Sequence, residues 1–310
     1  MGRLIQGFGL LFLFPAAPGC RQEPGIAVYL RDSAAPDAEP EDTSVWADAA
    51  AVDATCPEPD ETPEIGPWAD AFSIPATTFE MGCTRPDDLP CYPNEFPVHE
   101  VSVGRIHAMS VEVSQELWLA VTGENPATHA DCGCSCPVET VTWFDAVAFA
   151  NQLSDAQGLA QAYEIDGISV DWDTSSSGWR LPTEAEWERL ARGEGDPLVA
   201  GDVDVTTAAW YRENSPSGPR PVGQKEPTIH GLHDLNGNVW EWVWDWAGPY
   251  TDEAQTDPTG PTSGTTRVLR GGSYIDDYRL IRVSVRRELP PSRAIETVGV
   301  RLVRGPLGDR

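Results

Sequence analysis

The sequence is poor in positive charge. It has 21 Lys and Arg residues against 49 Asp and Glu residues, which gives a formal net charge of −28 at pH 7. A protein that binds DNA or RNA presents a basic stripe, because the phosphate backbone attracts cations and repels acids. The composition therefore excludes nucleic acid as a partner. The 310 residues, 40% of them hydrophobic, are enough to bury one large core.

The sequence also lacks a hydrophobic run long enough to cross a membrane as a helix. Its N-terminal apolar run follows a single positive charge, Arg3, and ends at Phe14, well short of the roughly 20 residues that a bilayer requires. This pattern is typical of an export signal. The segment Ala17-Pro-Gly-Cys20 resembles the lipobox of bacterial lipoproteins, apart from Pro18, and indicates lipidation at Cys20. A cleaved secretory signal is the alternative.

Basic residues are absent from Asp32 to Asp70, a stretch rich in Asp, Glu, Ala and Pro. Like charges and scarce apolar surface favour an extended, solvated chain. We expect residues 1–20 to be a signal peptide with its lipobox, residues 21–70 to be an acidic linker and residues 71–305 to form the folded domain. The protein would then be exported to the cell envelope and anchored by lipid to a bacterial outer membrane.

No cysteine follows Cys136 in the chain. Apart from Cys20, the cysteines form an even set, and in an exported chain such a set favours disulfides: Cys56, Cys83, Cys91, Cys132, Cys134 and Cys136. Many pairings are possible; we favour Cys83 with Cys91 and one bridge that involves the cluster from Cys132 to Cys136. A thiolate metal site in that cluster is the competing interpretation, but the cluster lacks the Cys-x-x-Cys spacing of zinc sites.

Local patterns predict strands and helices. Alternating apolar residues predict strands in Phe72–Gly82 and Pro97–Val103, paired like a hairpin across a loop that contains cysteines. Three helices are indicated by N-cap residues followed by helical periodicity, at Ser114, Thr142 and Thr183. The acids in the third of these helices are explained by its cap and by the helix dipole.

The segment His230–Trp246 combines aromatic rings with oxygen ligands. Four tryptophans recur at every second position, which predicts a strand with a buried aromatic face: Trp240, Trp242, Trp244 and Trp246. Before them lies a polar turn in which Gly and Asn tolerate positive φ, made of Asp234, Asn236, Gly237, Asn238 and Glu241. Such oxygens suit calcium. A tight turn without metal is the alternative.

This segment resembles a signature of the formylglycine-generating enzyme family, also called sulfatase-modifying factors. Three further motifs match that family in the right order: Gly178-Trp-Arg-Leu-Pro-Thr-Glu-Ala-Glu-Trp-Glu188, Val268-Leu-Arg-Gly-Gly-Ser-Tyr274 and Val298-Gly-Val-Arg-Leu302. The resemblance covers roughly Phe72 to Val303. It implies an α+β domain with the formylglycine-generating-enzyme variant of the C-type-lectin-like fold, which has little regular secondary structure.

The resemblance also implies site residues. A structural calcium ion would be held by the side chains of Asp234 and Glu241 and by the carbonyls of Gly237 and Val239. Two further residues, Trp240 and Ser273, would line a cleft that accepts an extended peptide in active members of the family.

Active members are similar to one another in having two cysteines after the Gly-Gly-Ser-aromatic motif, which bind copper and direct oxygen at a substrate cysteine. The corresponding segment here contains Asp276, Asp277 and Ile281. Carboxylates prefer hard ions and an aliphatic side chain ligates nothing, so the segment cannot hold Cu(I). Copper is not expected, and no catalytic residue is assigned.

Two functions from different classes follow. The first is a pseudoenzyme: a calcium-stabilised binding module whose ligand is a protein, a peptide or a glycan. The alternative is that the oxidase activity of the family persists and converts a sulfatase cysteine to formylglycine. The arginines of the C-terminal region are interpreted as partners of acids rather than as an anion site: Arg279, Arg282, Arg286 and Arg287.

Overall fold

A computed structural model describes residues 71–85, 90–201 and 203–309. Along them the helices are α1 (Gln115–Thr122), α2 (Trp143–Ala156), α3 (Glu184–Arg192) and α4 (Val205–Ala208). The strands are β1 (Ala71–Ile74), β2 (Thr77–Met81), β3 (His99–Val103), β4 (Arg105–Met109), β5 (Tyr163–Asp166), β6 (Ser169–Trp172), β7 (Trp179–Arg180), β8 (Trp240–Trp246), β9 (Gln255–Thr256), β10 (Arg267–Arg270), β11 (Arg286–Leu289), β12 (Val298–Gly299) and β13 (Val303–Asp309). The predicted signal peptide, the linker and Cys20 lie outside the described residues.

Four small sheets carry these strands. Their orders are β11-β10-β8-β12, β1-β4-β13-β7, β2-β3-β9 and β5-β6. In the first sheet β8 is antiparallel to β10 and parallel to β12. Long irregular segments join the short strands, so the architecture is the α+β arrangement with little regular structure that the resemblance implied.

Strand β8 divides the core of the domain into two clusters. Trp240 and Trp242 pack into the cluster that contains α2, whereas Val243 packs into the cluster that contains α3. The indole of Trp242 donates to the carbonyl of Val141 at 3.0 Å, and the indole of Trp143 donates to the carbonyl of Val243 at 2.9 Å. The aromatic strand is confirmed, but both of its faces are buried along most of its length rather than one.

The three predicted helices begin directly after the predicted N-cap residues. The hydroxyl of Ser114 accepts from the amide of Leu117, and Gly123 ends α1 with a left-handed φ of 79°. Thr142 and Thr183 each form a capping box with the acid three residues later. These caps satisfy amides that the first turn of a helix cannot bond internally.

Helix α3 is buried on every side, although its sequence is strongly charged. All nine of its residues are buried, because arginines from elsewhere meet its acids inside the protein. Buried arginine–glutamate pairs stabilise this part of the core, among them Arg180–Glu186, Arg192–Glu188, Arg270–Glu188, Arg286–Glu184, Arg282–Glu95 and Arg301–Glu241. The capping box with Thr183 explains why an acid is present at Glu186. The burial of Glu184 and Glu188 depends instead on their arginine partners.

The first predicted strand is divided in two. Pro75 and Ala76 separate β1 from β2, and the two strands belong to different sheets. Strand β2 pairs with β3 in an antiparallel register, as predicted.

The favoured disulfides are present. Cys83 is bonded to Cys91, in the connection between β2 and β3, and Cys132 is bonded to Cys136. Cys134 is disulfide-bonded as well, so the cysteine cluster offers no thiolate to a metal ion. No helix in the described ranges is both long enough and apolar enough to cross a membrane.

Candidate functional site

The polar turn before β8 has the backbone that its sequence predicts. Asp234, Gly237 and Asn238 have φ angles of 57°, 75° and 54°. Gly237 is required at its position, since a Cβ there would lie 2.0 Å from the carbonyl oxygen of Trp210. The amide oxygen of Asn236 accepts from the backbone N–H of Ala200 at 2.6 Å. The turn is therefore fixed by segments that are distant in sequence.

Three carboxyl groups lie buried around this turn: Glu112, Asp234 and Glu241. Burial raises the pKa of all three, most strongly that of Glu112, where the neighbouring carboxylates of Asp234 and Glu241 raise the pKa further. Among the described residues, one cation forms an ion pair with this group: Arg301, which contacts Glu241 at 2.8 Å. The cluster therefore carries three acids against one guanidinium.

Glu112 was missed by the sequence analysis. It accepts from the side-chain amide of Asn238 at 2.6 Å and from the backbone N–H of Val239 at 3.1 Å, so it holds the turn from the opposite side. Its one signal in the sequence is an acid between two valines that are themselves buried, Val111 and Val113. A charged residue in such a run needs a buried partner.

The residues of the turn fit a calcium ion. One oxygen of Asp234 accepts from the backbone N–H of Gly223 at 2.6 Å, while the other, Oδ1, is buried and has no hydrogen-bond partner. Both oxygens of Glu241 are already engaged, Oε1 by two nitrogens of Arg301 and Oε2 by Arg301 and by the indole of Trp187 at 2.6 Å, so Asp234 Oδ1 is the carboxylate oxygen of the turn that is left for an ion. If all three carboxyl groups were ionised beside the one guanidinium, the cluster would carry two negative charges, which a divalent cation would balance.

The carboxyl groups alone do not form a metal site. The only three ligating side chains within 4.8 Å of one another in the described residues are Cys83, Cys91 and Glu95, and the two sulfurs of that group form a disulfide. A calcium ion at the turn would therefore need backbone carbonyls as well, and the predicted carbonyl ligands of Gly237 and Val239 stay a prediction.

The two predicted cleft residues lie together beside Asp276. The indole of Trp240 donates to Asp276 Oδ2 at 2.8 Å, and Ser273 donates to the same oxygen from its N–H at 3.0 Å and from its hydroxyl at 2.6 Å. Arg287 lies 3.6 Å from the other carboxyl oxygen of Asp276 and 5.2 Å from the Trp240 ring. Trp240, Ser273 and Asp276 are all buried.

Ile281 lies in the segment where the cysteine pair of active members is missing. Its side chain is fully buried and packs with Ala209 and Tyr211. An aliphatic group in that packing donates no electrons to a metal, whereas Asp276 offers only hard oxygen. The arginines of this region pair with acids, as expected: Arg279 with Asp277, Arg282 with Glu95, Arg286 with Glu184 and Arg287 with Asp276.

Comparison with known proteins identifies the family. Residues 56–306 match the model of the sulfatase-modifying factor enzyme 1-like domain, a range that includes the predicted domain of residues 71–305. The chain belongs to the sulfatase-modifying factor family. Within this family it is 30% identical to the formylglycine-generating enzyme of Streptomyces coelicolor over 299 residues, which cover 79% of this chain and 94% of the enzyme.

One further relative in sequence and one solved structure are also similar to this chain. The chain is 28% identical to the chaperone protein LppX of Paenibacillus barcinonensis over 239 residues, 66% of this chain and 81% of LppX. Treponema denticola variable protein 1 superposes with a TM-score of 0.70 at 33% identity, over 76% of this chain and 95% of that protein. The family fold is thus confirmed over the described domain.

Proposed function

We propose that this sulfatase-modifying-factor-like domain is a calcium-stabilised recognition module that does not oxidise its ligand. The module would be exported and anchored by lipid at the cell envelope, with its acidic linker as a spacer. The observation that carries the proposal is the replacement of the soft copper ligands of active members by Asp276 and Ile281. The described chain offers no thiol beside Ser273 that could take their place.

The network around Asp276 supports recognition without redox chemistry. In an oxidase the position would hold a thiolate, but here the carboxylate is bonded to Trp240 and Ser273. Such a network holds the residues of the cleft in one arrangement, and a preorganised surface loses little entropy when it binds a ligand. The name of one relative, the chaperone LppX, favours a polypeptide as the ligand of this chain.

The alternative is oxidation of a sulfatase cysteine, which the names of other relatives favour. An oxygen-consumption assay on a Cys-x-Pro-x-Arg peptide distinguishes the two functions. We expect this chain to cause no oxygen uptake above that of the peptide alone, with or without added Cu(I). A formylglycine-generating enzyme run in parallel should consume oxygen. Peptide oxidation by this chain would overturn the proposal.

A calcium ion would neutralise the buried carboxylates at the turn and would link the turn to β8. Removal of calcium should therefore destabilise the domain. A ligand that binds only the folded state adds about 2.7 kcal/mol of stability at a free concentration roughly 100 times its dissociation constant. We therefore expect a chelator to lower the Tm of the wild-type domain by several degrees, and added calcium to restore it.

The variant Asp234→Ala tests whether this effect arises at the turn. It removes the carboxylate whose Oδ1 has no partner, so its Tm should not depend on calcium. The control Asp171→Ala, at an exposed position on β6, should keep the full calcium response. An undiminished response in Asp234→Ala would assign the effect to another part of the chain.

A further inference from the structure

A second candidate site lies at the N-terminal end of α3. A cavity of about 350 Å³ opens where the N-terminus of α3 meets the end of β8 and the segment that follows β8. Its polar lining includes Asp245, Glu184, His99 and Tyr250. Neither the calcium turn nor the residues of the family cleft contribute to it, so it is a separate feature of the domain.

Asp245 is the group in this cavity without a matched partner. It is only 3% exposed. Its Oδ2 accepts from the backbone N–H of Glu184 at 2.8 Å, but Oδ1 receives no hydrogen bond from any described residue. Burial raises the pKa of Asp245 well above its usual range, and the carboxylate of Glu184 raises it further. A carboxyl oxygen that lines a cavity and has no donor from the protein can accept a hydrogen bond from a bound ligand.

The arginines near Asp245 are engaged elsewhere. Arg286 directs two of its nitrogens to Glu184, at 2.7 and 2.6 Å, and the third to the backbone carbonyls of Gly248 and Asn94. Arg270 pairs with Glu188 and donates to three backbone carbonyls.

The remaining charged groups around Asp245 do not reach it either. Arg267 extends along the other face of the sheet. There its guanidinium carbon lies 3.7 Å from the centroid of the Trp143 ring and 3.6 Å from the centroid of the Trp246 ring. Glu186 is paired with Arg180. The imidazole of His99 contacts the carbonyl of Pro97 through Nδ1 and lies against Tyr250. No described cation therefore pairs with Asp245.

We propose that this cavity binds a primary alkylammonium group, with Asp245 Oδ1 as its acceptor. An ammonium is a compact charge with three donors, which suits a single carboxylate at the end of a small cavity. The alkyl stem would lie along Met81, Pro249 and Pro261, which also line the space. The net charge of −28 favours the approach of such a cation from solution.

A metal ion is a poorer match than an ammonium group. In the described ranges no three ligating side chains that include Asp245 lie within 4.8 Å of one another, whereas a divalent ion bound by protein needs several converging oxygens. A guanidinium is wide and planar and favours a bidentate carboxylate, but Asp245 has only one oxygen to offer. One N–H of an ammonium group can donate to that single oxygen.

Titration with n-butylammonium, followed by ligand-detected NMR, tests the proposal, with n-butanol as the neutral probe of similar size. We expect n-butylammonium to bind the wild-type domain at least roughly tenfold more tightly than n-butanol, since a hydrogen bond to a charged group is stronger than a neutral one. Asp245→Asn should remove this preference, while the exposed control Asp171→Asn keeps it. Equal binding of the two probes, or an unchanged preference in Asp245→Asn, would overturn the proposal.

A second variant keeps the test valid if Asp245→Asn does not fold. Gln255 lines the same cavity, so Gln255→Lys supplies an ammonium group from within the chain. We expect this variant to have a higher Tm than the wild type and to lose n-butylammonium binding; unchanged binding would contradict the assignment. A peptide with a single lysine, titrated alongside, separates the two sources of the group: competition indicates a protein side chain, and its absence indicates a small amine.

Discussion

Arg270→Met should lower the free energy of unfolding of the domain by about 3–5 kcal/mol, the range for removal of one partner of a buried ion pair. Arg270 is fully buried, pairs with Glu188 and donates to the carbonyls of Val283, Ser284 and Val285. Methionine fills much of the same volume but donates no hydrogen bond. Four acceptors would then lose a donor inside the protein, and urea unfolding followed by tryptophan fluorescence measures the loss.

The matched control for this substitution is Arg105→Met. Arg105 is exposed on β4 and forms no ion pair within 4.0 Å among the described residues, so the same chemical change there should alter stability by less than about 0.5 kcal/mol. If Arg270→Met cost no more than Arg105→Met, the buried pairs around α3 would not be what stabilises this region.

Gly237→Ala should be similarly damaging, for a steric reason. The added Cβ would lie 2.0 Å from the carbonyl oxygen of Trp210, at a φ of 75° that L-residues disfavour. The left-handed backbone costs about 1–2 kcal/mol, and the displacement of Trp210 adds roughly 1–3 kcal/mol or more. Because the turn carries Asp234 and Glu241, we also expect the variant to lose calcium-dependent stabilisation.

Gly123→Ala separates the cost of the left-handed backbone from the cost of the steric clash with Trp210. Gly123 has a φ of 79°, and a Cβ there meets no atom within 4 Å. The substitution should therefore cost only the free energy of a left-handed backbone at an L-residue. The variant should keep the calcium-dependent increase in Tm. Equal losses of stability in the two alanine variants would contradict a close packing of the turn against Trp210.

The local features of this fold could be predicted from short segments of sequence. Ser114, Thr142 and Thr183 were identified as caps because a hydroxyl before an apolar run satisfies free amides at a helix start. The turn before β8 was predicted because Gly237 and Asn238 tolerate the positive φ that the structure has there. In each of these features, the residues that carry the sequence signal lie within a few positions of one another.

The buried charges could not be predicted in the same way. Helix α3 has the composition of a solvated surface helix, yet it lies inside the domain because Arg270 reaches Glu188 from 82 residues away. Glu112 likewise meets the turn across more than a hundred residues. Long-range ion pairs leave no periodic pattern, so sequence periodicity assigns such residues to the surface when they are in the core.

We propose that the family site in this chain holds no copper, whereas the oxygen-rich turn binds calcium. Quantification of copper and calcium in the purified full chain tests it most directly. We predict about one calcium ion per chain, bound at the turn, and no stoichiometric copper even after incubation with Cu(I) under reducing conditions. One tightly bound copper ion per chain would contradict the account.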